Sequence, residues 1–164
     1  MLQLKEIEAI MMKKERGVIM VVNKEEIAKL FRDGLNCAQI VLSHFCEKYH
    51  MEKTEAIRIG CGFGGGVRNG ELCGAVSGAV MVIGLKYGNE NSENVTNKLL
   101  CHEKTVEFTK KFKEINGSIV CRDLLQCDIS TEDGMNKAKD QNLFQTLCVD
   151  MVASAIDILI ELEY

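Results

Sequence analysis

The chain has 164 residues, of which 46% are hydrophobic, and this length favours a single domain with one ordinary hydrophobic core. Its 24 acidic and 20 basic residues give a net charge of -4, so it has no general attraction for nucleic acid or anionic membrane surfaces. Neither is expected as a partner. Proline and tryptophan are absent, which suits long helices joined by glycine-rich turns, and eight cysteines are the most unusual feature.

Residues 1–22 form a predicted N-terminal extension with a short amphipathic helix and a strand at VIMVV. Acidic residues interrupt its apolar positions, and no small-residue cleavage site follows an apolar run, so we predict no secretory signal and expect a cytoplasmic protein. Persistent disulfides are rare in that compartment. The cysteines are therefore interpreted as structural thiols, metal ligands or redox groups.

Apolar residues recur at helical spacing through NKEEIAKLFRDGLNCAQIVLSHFCEKY, which predicts one long helix over residues 23–49. Asn23 is the predicted N-cap, and Glu26 completes a loose capping box. Cys37 lies on or beside the buried stripe of this helix, and Cys46 lies near its end. A short helix over residues 54–59 is predicted to lead into a glycine-rich stretch.

That stretch is GCGFGGGVRNGELCGAVSGAV, residues 60–80, which begins like a loop and ends like a buried helix. The apolar run from Ala75 to Leu85 is too short to span a bilayer, which needs about 20 residues, so a core helix is predicted. The small residues Gly74 and Gly78 would let a neighbouring backbone or a compact cofactor come close.

Three further elements complete the predicted bundle. Ser92 is the predicted cap of a charged helix that ends at Asn116 and Gly117, and CRDLL follows as a short turn. The stretch DISTEDGMNKAKD is interpreted as a polar connection, and the last helix is predicted over about residues 142–162. The sequence thus predicts an all-α fold, a compact multi-helix bundle with a glycine-rich loop between helices, as a single domain over residues 23–164.

Several familiar sites are disfavoured by their context. GCGFGG at residues 60–65 matches the dinucleotide pattern but lacks the preceding strand and the following helix. His44, His50 and His102 form no metal motif, and the missing Cys-x-x-Cys-His excludes covalent haem. No Cys-x-x-Cys occurs, so any cysteine site must be assembled by the tertiary fold. The residues do not distinguish an oxidoreductase from an electron carrier, and no catalytic residue is assigned.

Free cysteine is usually a small buried hydrophobe, and we expect this of Cys46, Cys61, Cys101 and Cys127. Cys73 differs because it follows a glycine-containing turn and opens a helix, where free N–H groups favour the thiolate. Cys121 has a similar position, with Arg122 adjacent to stabilise negative charge. Cys37 and Cys148 are predicted to project from the middles of helices toward those two helix starts.

At these residues the chain resembles the C_GCAxxG_C_C family of redox-active proteins, over about residues 20–162. GLNCAQIVL (34–42) resembles the family's first cysteine element, CGAVSG (73–78) its central Cys-Gly-Ala-x-x-Gly motif, VCRDLL (120–125) its third and LCVDMVASA (147–155) its fourth. The resemblance implies a redox-active site at Cys37, Cys73, Cys121 and Cys148. The pattern is also similar to part of the split-Soret cytochromes, of which only the iron–sulfur half could carry over, because the haem motif is missing.

Three hypotheses follow for the site. In the favoured one, Cys37, Cys73, Cys121 and Cys148 bind an iron–sulfur cluster for electron transfer, because four separate elements each supply one cysteine. The alternatives are a cofactor-free thiol–disulfide protein and a structural helical module with buried or zinc-bound thiols. A redox partner protein is expected but not identified, and Gly74 and Gly78 suggest a homodimer that would shield a cluster.

Overall fold

The computed structural model describes residues 23–164, so the predicted extension over residues 1–22 and its strand lie outside the described residues. The described part is helical, with one isolated antiparallel bridge between Leu72 and Val120, and the all-α prediction is confirmed. Its α-helices, in chain order, are α1 (Lys24–Arg32), α2 (Cys37–Phe45), α3 (Lys53–Gly60), α4 (Gly74–Tyr87), α5 (Val95–Asn116), α6 (Cys121–Leu125), α7 (Glu132–Asp140) and α8 (Leu147–Glu161).

Helices α2 and α4 form the centre of the core, and α8 packs against α1, α2, α4 and α5. A Cβ atom at Gly78 would lie 2.8 Å from the carbonyl oxygen of Ala38 and 2.9 Å from Cβ of Val41. The small face of α4 thus accepts the backbone of α2, as predicted. Gly74 and Gly78 both face α2, and the homodimer stays a prediction. Over residues 23–164, no helix has the length and apolar character needed to cross a membrane.

The predicted single helix over residues 23–49 is wrong, because the chain breaks after α1. Gly34 adopts a φ of +96°, and Asn36 then caps a new helix, α2. The apolar stripe continues across this break because both helices pack on the same core. Cys37 is therefore the first residue of α2 and does not lie in the middle of a helix. The predicted N-cap at Asn23 is confirmed, since its side chain accepts a hydrogen bond from the N–H of Glu25.

Other boundaries differ where turns or caps interrupt the apolar pattern. Helix α8 begins at Leu147, because residues 141–146 form turns with Asn142 at a φ of +54°. The predicted polar connection contains α7, whose N-cap Thr131 accepts a hydrogen bond from a backbone N–H within that helix. Helix α5 is capped by Asn94 rather than by Ser92. The predictions of the short helix α3, the core helix α4 and the end of α5 at residues 116–117 are confirmed.

Candidate functional site

A cavity of about 470 Å³ lies between the glycine-rich stretch and the starts of several helices. Its lining includes all four cysteines that the resemblance singled out. Cys37 is the first residue of α2, Cys73 is the N-cap of α4, Cys121 is the first residue of α6, and Cys148 is the second residue of α8. The prediction that Cys37 and Cys148 come from the middles of helices is therefore wrong. Each of the four thiols lies at a helix N-terminus.

This arrangement has an electrostatic consequence. The first turn of a helix has backbone N–H groups without intrahelical partners, and the helix dipole adds a positive potential there. Three of the helices that start at the cavity, α2, α4 and α8, have nine residues or more. Their N-termini favour negative charge in the space between the thiols.

The second and third cysteines are held side by side by main-chain hydrogen bonds. The N–H of Cys73 donates to the carbonyl of Ile119 at 2.8 Å, and the N–H of Cys121 donates to the carbonyl of Glu71 at 2.6 Å. These bonds form a short antiparallel bridge between the segments that precede α4 and α6. The bridge fixes the two helix starts relative to each other.

The first cysteine is positioned by a capping box. The side chain of Asn36 accepts from the N–H of Gln39 at 3.0 Å, and the side chain of Gln39 accepts from the N–H of Asn36 at 2.8 Å. The amide of Asn36 also donates to the carbonyls of Gly60 and Cys61, at 3.2 and 2.9 Å. The start of α2 is thereby tied to the glycine-rich stretch. This clamp was not predicted, although the Asn-x-x-Gln spacing before an apolar run indicates a capping box.

The glycine-rich stretch makes a left-handed turn beside the cavity. Gly65, Gly66, Val67 and Arg68 all have φ between +50° and +64°. A Cβ atom at Gly66 would overlap the backbone nitrogen of Glu71, so this position requires glycine. A β-branched residue such as Val67 rarely adopts a positive φ, which marks the turn as strained. Arg68 lines the cavity from this turn.

The thiol of Cys73 is subject to two opposing effects. Burial raises its pKa to about 12, and the nearby Cys37 thiol acts in the same direction. The backbone N–H groups of Ala75 and Val76 at the helix start lower the pKa, but burial outweighs them. The helix start thus favours the thiolate of Cys73, as predicted, but burial, which the prediction did not include, raises the pKa of this thiol overall.

Cys121 follows the same pattern. Burial, followed by the thiols of Cys73 and Cys37, raises the pKa of Cys121 to about 12. Arg122 was expected to stabilise negative charge on this sulfur, but its guanidinium is paired with the carboxylates of Glu71 and Asp128. The net effect on the Cys121 thiol is again to disfavour the thiolate.

The remaining pair consists of Cys37 and Cys148. The neighbouring thiol of Cys148 is the main cause that raises the pKa of Cys37 well above its usual value, and burial adds to it. Both residues line the same cavity, so the two thiols are neighbours there.

The other four cysteines do not line this cavity. Cys46 is fully buried in the core, and Cys101 and Cys127 are half-buried against it, as expected of small hydrophobes. Cys61 is exposed, so the prediction of a buried residue is wrong there. Its position in the turn after α3 leaves the side chain outside the apolar packing.

The four cysteines can be compared with the ligands that an iron–sulfur cluster or a zinc ion requires. Within residues 23–164, no group of three or more His, Cys, Asp or Glu side chains is arranged to hold a metal ion. The four cysteines line one cavity, and four cysteine sulfurs are the usual ligands of iron–sulfur clusters. The cysteines thus supply the kind of donor atom that such a cluster needs, while their positions within residues 23–164 do not form a metal-binding group.

Comparison with known protein families gives a match that covers most of the chain. The family model described as "Putative redox-active protein (C_GCAxxG_C_C)" matches residues 35–162. That description spells the central element GCAxxG, whereas this chain has Cys73 before Gly74. Searches of curated proteins and of solved structures returned no match, and the similarity to split-Soret cytochromes stays a prediction. Because the match covers most of the chain, the protein belongs to the C_GCAxxG_C_C family of redox-active proteins.

Proposed function

We propose that this protein transfers electrons through an iron–sulfur cluster bound by Cys37, Cys73, Cys121 and Cys148. The observation that supports this most directly is that four thiols from four separate helix starts line one cavity. A redox pair needs two cysteines, whereas four cysteines are the usual ligand set of a cluster. When bound, the cluster would supply one-electron redox chemistry.

The charge balance of the site supports the same proposal. Burial and the mutual proximity of the thiols raise the pKa of Cys73 and of Cys121 to about 12, so few thiolates exist at neutral pH without a cation. Bound metal ions deprotonate coordinating thiols by compensating their charge. Thiol–disulfide exchange, in contrast, requires a thiolate before any reaction begins.

The chain's own residues would tune such a centre. The backbone N–H groups of Ala75 and Val76 at the start of α4 lower the pKa of Cys73, and N–H groups close to ligand sulfurs help to set the reduction potential of a cluster. Apolar side chains line the same cavity and limit the access of water. Hydrogen bonding near the sulfurs and limited access of water are both features that set the reduction potential of a cluster.

One observation favours a second candidate function. Cys37 and Cys148 line the same cavity, and the Cys148 thiol is the main cause that raises the pKa of Cys37; a reversible disulfide without a cofactor needs only two such neighbouring thiols. In that case the protein is colourless and metal-free, and its free-thiol count falls by two on oxidation. A zinc-bound structural module would instead be colourless, contain metal and remain redox-silent.

Serine substitutions distinguish these candidates. Under the cluster proposal, Cys73→Ser abolishes or strongly reduces the visible absorbance of anaerobically purified protein, whereas Cys46→Ser and Cys61→Ser retain it. Equal losses in the site variants and the controls would contradict the assignment. Under the disulfide alternative, only Cys37→Ser and Cys148→Ser abolish the reversible change in thiol count, and Cys73→Ser retains it.

A further inference from the structure

Residues other than the four cysteines form most of the lining of the cavity. Its volume of about 470 Å³ falls within the roughly 300–1,000 Å³ typical of pockets for small organic ligands. Beyond the cysteines, much of its wall is apolar and comes from α1, α7, α8 and the connections between helices. These apolar residues include Phe31, Leu35, Ile129, Met135, Phe144 and Met151. The cavity can therefore take the apolar body of a ligand.

Two cationic side chains also line this cavity, Arg68 from the left-handed turn and Lys139 from α7. Both residues are exposed, so they lie where the cavity opens to solvent. Neither forms an ion pair with a carboxylate among residues 23–164. Arg122, in contrast, is engaged by Glu71 and Asp128. Charges free to bind a ligand thus lie beside an apolar wall.

We infer that the cavity binds a small organic anion. Its apolar body would pack against the lining, and its acidic group would pair with Arg68 and Lys139. A pocket with an apolar lining and a few placed polar groups is the usual form of a ligand site, and charge-assisted hydrogen bonds are among its strongest contacts. The inference names the substrate class of the proposed redox site and rests on that function for its role; binding itself rests on the cavity and its two cations.

Two aromatic probes of similar shape test this inference. Anilinonaphthalene sulfonate carries one negative charge, and N-phenyl-1-naphthylamine is its neutral counterpart. Titration of the anaerobically purified full chain should give one saturable site for each probe. The double variant Arg68→Gln/Lys139→Gln should weaken binding of the sulfonate by about tenfold or more, because two charge-assisted contacts are lost, and leave the neutral probe nearly unchanged.

The matched control is Arg58→Gln/Lys98→Gln, which makes the same change in net charge at exposed residues outside the cavity. It should bind both probes as the unmodified protein does. An equal loss of sulfonate binding in this control would overturn the inference, since net charge would then be the cause. The absence of a saturable sulfonate site in the unmodified protein would overturn it as well.

A bulky substitution locates the probes. Met135→Trp places a larger side chain in the cavity wall and should abolish binding of both probes while the helical circular dichroism is retained. Retained binding of both probes in a folded Met135→Trp variant would overturn the inference. If this variant does not fold, the test rests on the comparison of the two cation double variants. Iron and sulfide are assayed on the same samples. If the protein contains no iron but shows the expected binding of the two probes, the cluster proposal is refuted and the anion site is not. If the protein contains iron but does not show that binding, the anion site is refuted and the cluster proposal is not.

Discussion

The Cys73 sulfur shows how burial and local hydrogen bonding compete at one atom. Two backbone N–H groups at the start of α4 stabilise its thiolate, yet the side chain is only 5% exposed and the pKa rises to about 12. The free-energy cost of removing the thiolate charge from water exceeds the stabilisation that these two N–H groups give it. The helix start therefore lowers the cost of a thiolate there without making the thiolate stable in the absence of a cation.

This balance predicts the pH dependence of alkylation. In metal-free reduced protein, the rate at which iodoacetamide modifies Cys73 should rise about tenfold per pH unit from pH 8 to 11, because the thiolate fraction grows until the pH reaches the pKa. Quenched time points analysed by peptide mass spectrometry give the rate for this residue. A plateau near pH 8.5, the value of an ordinary cysteine, would show that burial does not control this thiol.

At the scale of elements, the contact between α2 and α4 brings Cys37 beside Cys73. A Cβ atom at Gly74 would lie 3.1 Å from Cβ of Cys37, and one at Gly78 would lie 2.8 Å from the carbonyl of Ala38. Both distances are shorter than ordinary contacts, so the helices approach this closely only because glycine occupies these positions. The packing of α2 against α4 therefore positions two of the four cysteines, Cys37 and Cys73.

Gly78→Ala should therefore destabilise the protein by about 1–3 kcal/mol, because the two helices must separate or shift. Gly84→Ala is the matched control, since a Cβ atom there meets nothing within 4 Å. That control should be stabilised by about 0.5–1 kcal/mol through the higher helix propensity of alanine. Urea unfolding measures both free energies, and stabilisation by Gly78→Ala would contradict the close contact.

The clamp at the start of α2 gives a second prediction at this scale. Asn36→Ala removes a helix cap and two hydrogen bonds to the carbonyls of Gly60 and Cys61, and should cost about 1–3 kcal/mol. Asn94→Ala removes only the cap of α5 and should cost about 1 kcal/mol. The unfolding free energies of the two variants make the comparison. Equal costs would show that the bonds to the glycine-rich stretch contribute nothing.

These elements also show how far the sequence predicts the fold. The continuous apolar run from Ala75 to Leu85 was sufficient to predict the core helix α4. The break between α1 and α2 was missed, because the apolar periodicity continues on both sides of Gly34 and only the capping spacing at Asn36 marks the new helix. Helix α7 was missed because its polar residues conceal the start signal at Thr131.

At the scale of the whole molecule, the cavity is a product of tertiary structure. The resemblance indicated Cys37, Cys73, Cys121 and Cys148, and the described fold places all four on one cavity wall. No local pattern could predict that their helix starts converge, because each lies on a different element. The sequence also could not predict that Arg68 and Lys139 line the same cavity, because the two residues lie on separate elements.

At this scale the cluster proposal rests on the four helix starts that line one cavity, since helix N-termini favour a bound anionic centre. The most direct measurement is the visible absorption spectrum of anaerobically purified protein, with iron, acid-labile sulfide and zinc assayed on the same sample. Our account predicts a brown protein with matched iron and sulfide. A colourless protein without iron, unchanged after attempted reconstitution, would contradict it.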